Sequence, residues 1–524
     1  MTTMLKPLVL FVHAPSDDCH LLFRGAPMSL LYAIAVLYDR VRAGCYAPVD
    51  SASVRLWDAA LNWQGDERSL DRELERCVGN ADLSFAGISC SSYSYRWAIR
   101  IAQLIKDRAP KCAVVIGGPH EDECGPIGDG ASISDYGHVI DFSIQGDGEH
   151  ILDDLFRRYL ESGCDVWKVK VGLRNDERAL QSVPGAGGIA FLTEDGTVAW
   201  RKTSSRFTAG LSRSTGAVHD LNALPSPPRN LLSPAHRYLF DVFARRDGSL
   251  KATAQVMTHR GCTFACTFCS ERGSYNARTP ACVIEELRAL ARDGFDAAFF
   301  DDSTLHNYKL LPDLLRELEI MRNDLGLEFG GLTRVDSVIQ SQGHCPLSLF
   351  ADAGFSYLYF GLENLDNDVL AEIRKGYTVD EIEKCFELLS SCPRLRIGVS
   401  TLFGFESETD HSIRRTLRFV AECGQIILAN MSIVAYHPAS VMLRAAGLKP
   451  RFDTAPPNHG PIWDAFEEGR WFHPSFVDEP YVRWIIEIVL EEDERSGGVL
   501  LPKLKRGAAL KAALVAPRMA SERI

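Results

Sequence analysis

Over residues 1–160, short apolar runs alternate with longer stretches whose apolar side chains recur every three or four positions. Leu8-Val9-Leu10-Phe11-Val12 is unbroken and reads as a strand buried on both faces. Val54-Arg55-Leu56-Trp57, Phe85-Ala86-Gly87-Ile88-Ser89, Ala113-Val114-Val115-Ile116 and Ile140-Asp141-Phe142-Ser143-Ile144 read as further strands. Between them, 97–108 carries Ile99, Ile101, Ala102 and Ile105 at helical spacing. Strand–helix alternation predicts a parallel, doubly wound, Rossmann-like sheet over 1–165. Such sheets bind ligands at the carboxyl ends of their strands. The polar and Gly-rich pieces fall there: Ser89-Cys90-Ser91-Ser92-Tyr93, Gly117-Gly118-Pro119-His120 and Gly146-Asp147-Gly148-Glu149.

Residues 166–245 are less regular, and Leu221-Asn222-Ala223-Leu224-Pro225-Ser226-Pro227-Pro228 is Pro-rich and reads as a linker, so a connecting region is expected there. The αβ rhythm resumes over 246–440. Strands are expected at 251–257, 297–300, 328–332, 357–360, 396–402 and 426–434. Helices are expected from Pro280 to a stop at Gly294 and over 311–325. Six such units predict a partial (β/α) barrel of the TIM type, with its chemistry at the carboxyl ends of the strands. Residues 441–524 form a small third region, mostly helical, with an amphipathic helix at 481–492.

The chain has 524 residues, too many for one domain. No run of about 18 apolar residues occurs. The N-terminus lacks the segments of a signal peptide, so a cytoplasmic protein is expected. Fifteen scattered cysteines suit that compartment. The net charge of −12, with one basic cluster near the C-terminus, argues against a nucleic-acid partner.

Cys262, Cys266 and Cys269 are the densest chemical signal, in Arg260-Gly261-Cys262-Thr263-Phe264-Ala265-Cys266-Thr267-Phe268-Cys269. A fully ligated cubic iron–sulfur cluster takes four cysteines, so three leave one iron open to a reactant. Two plainer readings compete: packed core thiols, and structural zinc with His259 as fourth ligand. Asp301 and Asp302 close one predicted strand, where buried acids are costly unless paired. Gly117 and Gly118 would let backbone approach a flat ring closely; Gly-Gly-Pro is also an ordinary turn.

Cys-x3-Cys-x2-Cys with Phe268 before the last Cys resembles the signature of radical S-adenosylmethionine (SAM) enzymes. Ile116-Gly117-Gly118-Pro119-His120, Gly146-Asp147-Gly148-Glu149, Gly361-Leu362-Glu363-Asn364 with Lys375-Gly376, and the segment 403–409 extend the likeness. Together, over 5–435, they resemble the cobalamin-dependent radical SAM family, a cobalamin-binding domain followed by a radical SAM barrel.

That resemblance implies a [4Fe-4S] cluster on the three cysteines, SAM chelated at its open iron, and cobalamin. It implies SAM contacts from backbone at Phe268 and from Asp301, Asp302, Arg334 and Glu363, with Arg334 pairing either the SAM carboxylate or Glu363. It implies cobalamin contacts from Ser89, Ser91, Tyr93, Gly117, Gly118, Pro119, His120, Gly146, Gly148 and Glu149. Two departures stand out. Asp18-Cys19-His20 resembles a cobalt-ligating motif, but Phe23 replaces its Gly, and Tyr436-His437-Pro438-Ala439-Ser440 lacks the Pro-Gly-Thr of relatives.

The implied activity is methylation of an unactivated carbon of a small-molecule intermediate by way of a 5'-deoxyadenosyl radical and methylcobalamin, with a flavodoxin or ferredoxin as electron donor. Cyclisation, rearrangement or oxygenation without methyl transfer is the alternative within the family. A tRNA methylthiotransferase would need a second three-cysteine group, which the other cysteines do not form. An iron–sulfur electron carrier or a cobalamin-binding sensor is the alternative of another class.

Overall fold

The computed structural model describes residues 7–16, 25–61, 63, 66–124, 131–204, 206–208, 213–215, 220–271, 275–437, 440–448, 451–455, 460–466, 472–505 and 507–515. His20, Pro438 and Ala439 lie outside the described residues.

The first sheet begins with β1 (Pro7–His13), β2 (Val54–Asp58), β3 (Asp82–Ser89), β4 (Ala113–Gly117) and β5 (Phe142–Gly146). These are parallel, in the order β2-β1-β3-β4-β5. Successive side chains of a strand point to opposite faces, and β1 feeds a core on each side. Val9 and Phe11 pack with the helix Met28–Arg42, while Leu8, Leu10 and Val12 pack with the helix Tyr95–Arg108. The strand ends are level, since His13 pairs Ser89 and Ser89 pairs Gly117.

The sheet does not stop at residue 165. β6 (Gly187–Leu192) and β7 (Val198–Lys202), in the region expected to be irregular, add antiparallel strands beside β5. Their hairpin signal is the turn between them, where Thr193 N donates to Thr197 O (2.9 Å) and Gly196 takes a positive φ of 77°. The linker is tied back to the first sheet by a buried carboxylate: Asp58 accepts from His236 Nε2 (2.9 Å) and His13 Nδ1 (2.8 Å).

The second sheet has six parallel strands in sequential order: β8 (Thr253–Val256), β9 (Ala297–Phe300), β10 (Glu328–Thr333), β11 (Phe355–Glu363), β12 (Arg396–Phe403) and β13 (Ile426–Ile433). This is the expected partial barrel. Pro280–Arg292 starts behind the N-cap Thr279, and Leu311–Leu325 ends at left-handed Gly326. Phe240 and Phe243 pack against Phe299, Tyr357 and Tyr359 and fill the interior.

The C-terminal region is helical. Its longest helix, Glu479–Arg495, lies on Asp410–Glu422, where Glu492 accepts from Arg414 and Arg418. Ahead of it, Phe452 joins the core of the first sheet and Asp453 accepts from Tyr136 Oη (2.6 Å), so this region touches both sheets.

Candidate active site

The carboxyl ends of the two sheets share one cavity of about 500 Å³. Ser89, Gly117, Gly118, Pro119, Gly146, Gly148 and Glu149 line it from the first sheet; Asp301 and Asp302 line it from the barrel. Nine of the residues expected at a cofactor are therefore brought together. Gly118 has φ +105°, and a Cβ there would lie 2.7 Å from Cys90 O. Gly146 has φ +83°, and a Cβ would lie 2.1 Å from Ala186 O. Both positions demand glycine and keep the wall bare backbone. Gly117 is different: a Cβ would meet Ile144 O at an ordinary 3.4 Å.

Ser91, Tyr93 and His120 do not line that cavity. Ser91 N donates to Ser94 Oγ (2.9 Å) where the loop turns into the helix Tyr95–Arg108. Tyr93 Oη sits 3.1 Å from His437 Nε2, at the end of the barrel. His120 is buried, stacked on Tyr95 with ring centroids 3.8 Å apart and bonded to Ser92 Oγ (3.0 Å). Burial holds its imidazole down at about 3. It is a packed core histidine rather than a cavity residue.

Two walls of the cavity are joined by an ion pair. Arg260 donates to the Glu149 carboxylate, with Asp147 Oδ1 3.6 Å away. Glu149, expected as a ligand contact, spends one oxygen on this tie.

The cysteine loop leaves a short hairpin in which His259–Arg260 pairs Asn276–Ala277. Asp302 braces its start, accepting from Thr258 N (2.8 Å), Thr258 Oγ1 (2.9 Å) and His259 N (3.1 Å). Asp302 is thus engaged with the chain rather than open to a ligand. Asp301 is exposed to the cavity and accepts from Gln255 Nε2 (2.6 Å). Burial pushes the Asp301 carboxyl up to about 7 and that of Asp302 up to about 6.

The loop is held from both directions. Asn307 Nδ2 donates to Gly261 O (3.3 Å), Thr267 N to Ile373 O (3.0 Å), and Met442 N to Thr267 O (3.2 Å). Cys266 is buried; Cys262 and Cys269 are half-buried. Burial raises the Cys262 thiol and pushes that of Cys269 up to about 12. A metal that takes these sulfurs as thiolates must offset that cost. Part-exposed thiols on an irregular loop do not behave as core packing. His259 Nδ1 is bonded to Thr258 Oγ1 (2.9 Å), while its buried Nε2 has no hydrogen-bond partner. Among the described residues, no three Cys, His, Asp or Glu side chains converge as one ion would require. A cubane instead needs each thiol at its own iron.

Arg334 directly follows β10 and Glu363 ends β11, but they do not pair with each other. Arg334 Nε and Nη2 fork onto Asp336 at 3.0 Å each, and Nη2 also donates to Lys375 O. Its Nη1 lies 3.5 Å from Cys266 Sγ. Glu363 accepts from Lys375 Nζ (2.6 Å) and Ser400 Oγ (2.9 Å). Glu363 holds a left-handed φ of 63°, a strained backbone for a non-glycine. Lys375 is buried, which pulls its ammonium pKa down, but the Glu363 carboxylate together with Tyr377 and Cys266 outweighs this and leaves it raised. Phe268 packs on the barrel core, with Lys375 Nζ 5.7 Å from its ring centroid.

Residues 256–420, which hold the cysteine loop and most of the barrel, match the Radical SAM superfamily. They form a radical SAM domain. Among curated relatives, the chain is 24% identical over 363 residues to the anaerobic magnesium-protoporphyrin IX monomethyl ester cyclase of Rubrivivax gelatinosus. That match covers 67% of this chain and 56% of the cyclase, so the chain spans little more than half of that relative.

Among solved structures, the fold is similar to TsrM of Kitasatospora setae, a radical S-adenosylmethionine methyltransferase solved with cobalamin and a [4Fe-4S] cluster. The TM-score is 0.57 at 18% identity, over 91% of this chain and 84% of that one. TsrM has also been solved with tryptophan as substrate and a SAM analogue. OxsB, a cobalamin-dependent S-adenosylmethionine radical enzyme solved with aqua-cobalamin, aligns with a TM-score of 0.50 at 16% identity. That alignment covers 80% of this chain and 52% of OxsB. The chain therefore has the two-part fold of the cobalamin-dependent radical SAM enzymes.

Sequence reasoning missed the partners that fix the radical SAM domain's site. Asp336 lies two residues past Arg334, a local signal that could have been read. Lys375 is twelve residues beyond Glu363, across the helix Asn367–Glu372, and no periodicity links them. Gln255 and Arg260 flank the cysteine loop and reveal their roles only once the two sheets are facing.

Proposed function

We propose that this chain is a cobalamin-dependent radical SAM methyltransferase acting on an unactivated carbon of a small-molecule biosynthetic intermediate. One observation carries the proposal: a single cavity has the bare backbone of Gly118 and Gly146 on one side, and Gly261, Glu271 and Asp301 beside the cysteine loop on the other. The glycine wall fits the face of a flat macrocycle, and three thiols on one braced loop fit a cluster with an open iron. Cys262, Cys266 and Cys269 would hold the cluster. Bound there, these groups supply one-electron cleavage of SAM and a carrier for its methyl group. The chain's own residues place and enclose them. Asp301 offers an acceptor to a hydroxyl or ammonium donor, and the Arg260–Glu149 tie keeps the two walls together. The tryptophan bound by TsrM supports a small substrate. A flavodoxin or ferredoxin in the cytoplasm supplies the electron.

The test is anaerobic. The protein is reconstituted with cluster and cobalamin, given SAM and a strong reductant, and 5'-deoxyadenosine and S-adenosylhomocysteine are quantified by mass spectrometry. Both nucleosides are expected, and both vanish in Cys266→Ala. The likeness to a cyclase over 67% of the chain favours a second reading, ring formation without methyl transfer. Deoxyadenosine without S-adenosylhomocysteine selects that reading. Neither nucleoside, with iron bound, selects an electron carrier or sensor.

A further inference from the structure

We propose that Arg334 sets the reduction potential of the cluster by donating an N–H···S hydrogen bond to Cys266 Sγ. This rests on the reading that Cys262, Cys266 and Cys269 hold an iron–sulfur cluster. Hydrogen bonds to a cluster's sulfurs and nearby charge are levers on its potential.

The geometry gives Arg334 this role and little freedom for another. Its side chain is 7% exposed. A guanidinium has five N–H donors, and four are engaged: Nε on Asp336 Oδ1, Nη2 on Asp336 Oδ2 and on Lys375 O, and Nη1 on Cys266 Sγ at 3.5 Å. The plane is also clamped against Phe264, whose ring centroid is 3.7 Å from the guanidinium carbon. Phe264 and Cys266 belong to the same loop, so Arg334 is fitted to that loop on two sides. Asp336 balances the charge of the pair, but the guanidinium end faces the sulfur. The pair therefore acts as a fixed dipole with its positive end toward the cluster. Adding an electron makes the cluster more negative, and this dipole favours the reduced form. No bond is made or broken; the electron comes from a flavodoxin- or ferredoxin-type donor, or from a chemical reductant in vitro. Arg334 is a positioning residue in this account, acting through Cys266.

The experiment uses the full chain, reconstituted anaerobically with iron and sulfide and kept free of SAM. Reduction is followed by EPR during a redox titration. Arg334→Gln is expected to lower the midpoint by about a tenfold change in the reduction equilibrium, 59 mV for one electron. Arg334→Lys keeps the charge but not the planar fork, and is expected to fall by less. A purely structural role would reduce the number of clusters formed and leave the midpoint of those formed unchanged; unmoved midpoints in both variants overturn the inference. If Arg334→Gln binds no iron, Arg334→Lys decides alone, an unmoved midpoint again overturning it. Wild-type protein that binds no iron and sulfide overturns the cluster reading itself.

Discussion

Arg260 and Glu149 join the two halves of the molecule at the cavity. Arg260 is the residue two before Cys262, and Glu149 opens the helix Gly148–Glu161 after β5. Glu149 is 3% exposed, so its pair with Arg260 is largely shielded from water. Removing one member of a buried pair leaves the other charge uncompensated. Arg260→Ala is therefore expected to cost about 3 kcal/mol, seen as a lower denaturant midpoint. Stability equal to wild type would show that the tie contributes nothing.

Gly117 and Gly118 are adjacent and should respond in opposite ways. Gly118→Ala forces φ +105° on an L-residue and drives Cβ to 2.7 Å from a carbonyl. A loss of about 1–3 kcal/mol is expected. Gly117→Ala meets only an ordinary contact at 3.4 Å. Its thermal stability should match wild type, while the added methyl roughens the wall where a corrin face would lie. Cobalamin titration followed by absorbance should show weaker binding for Gly117→Ala at unchanged Tm.

The Asp301 carboxyl is held up at about 7 against an ordinary 3.8, so the folded state binds its proton more tightly than the unfolded chain does. The stability this contributes is fully present below about pH 3.8 and is lost as pH rises through about 7. Asp301→Asn removes that titration. Relative to wild type, the variant should gain stability steadily from pH 4 to pH 8. Urea midpoints at several pH values measure it, and a constant difference would refute it.

Glu363 and Lys375 are both buried and paired at 2.6 Å. Glu363→Gln strands the ammonium, and a loss of about 3 kcal/mol is expected. Glu363→Gln with Lys375→Met should lose less than the two single losses added. A double-mutant cycle in urea yields that coupling, and strict additivity would rule it out.

Much of the architecture could be read from the sequence because it rests on periodicity. The run 8–12 and the strands before Gly117 and Gly146 announced a buried parallel sheet and its ligand edge, and residues 297–300 fell where expected. β6 and β7 escaped because a glycine-led strand and a half-exposed partner lack a clean alternation. His120 looked like a site residue because it follows Gly117-Gly118-Pro119. Only the fold reveals that its ring turns away onto Tyr95. The partners of Arg334 and Glu363 were illegible for a similar reason: strand ends are visible locally, but which side chains meet across them depends on loop lengths.

Thr267 occupies a junction between the cysteine loop and two other parts of the chain. Through its two backbone groups it fastens the cysteine loop to Ile373 on one side and to Met442, at the start of the C-terminal region, on the other. The same C-terminal region carries Phe452 and Asp453 onto the first sheet. Protection of the segment around Phe452 and Asp453 against a protease or amide exchange is therefore the expected outside readout of metal binding at the cysteine loop.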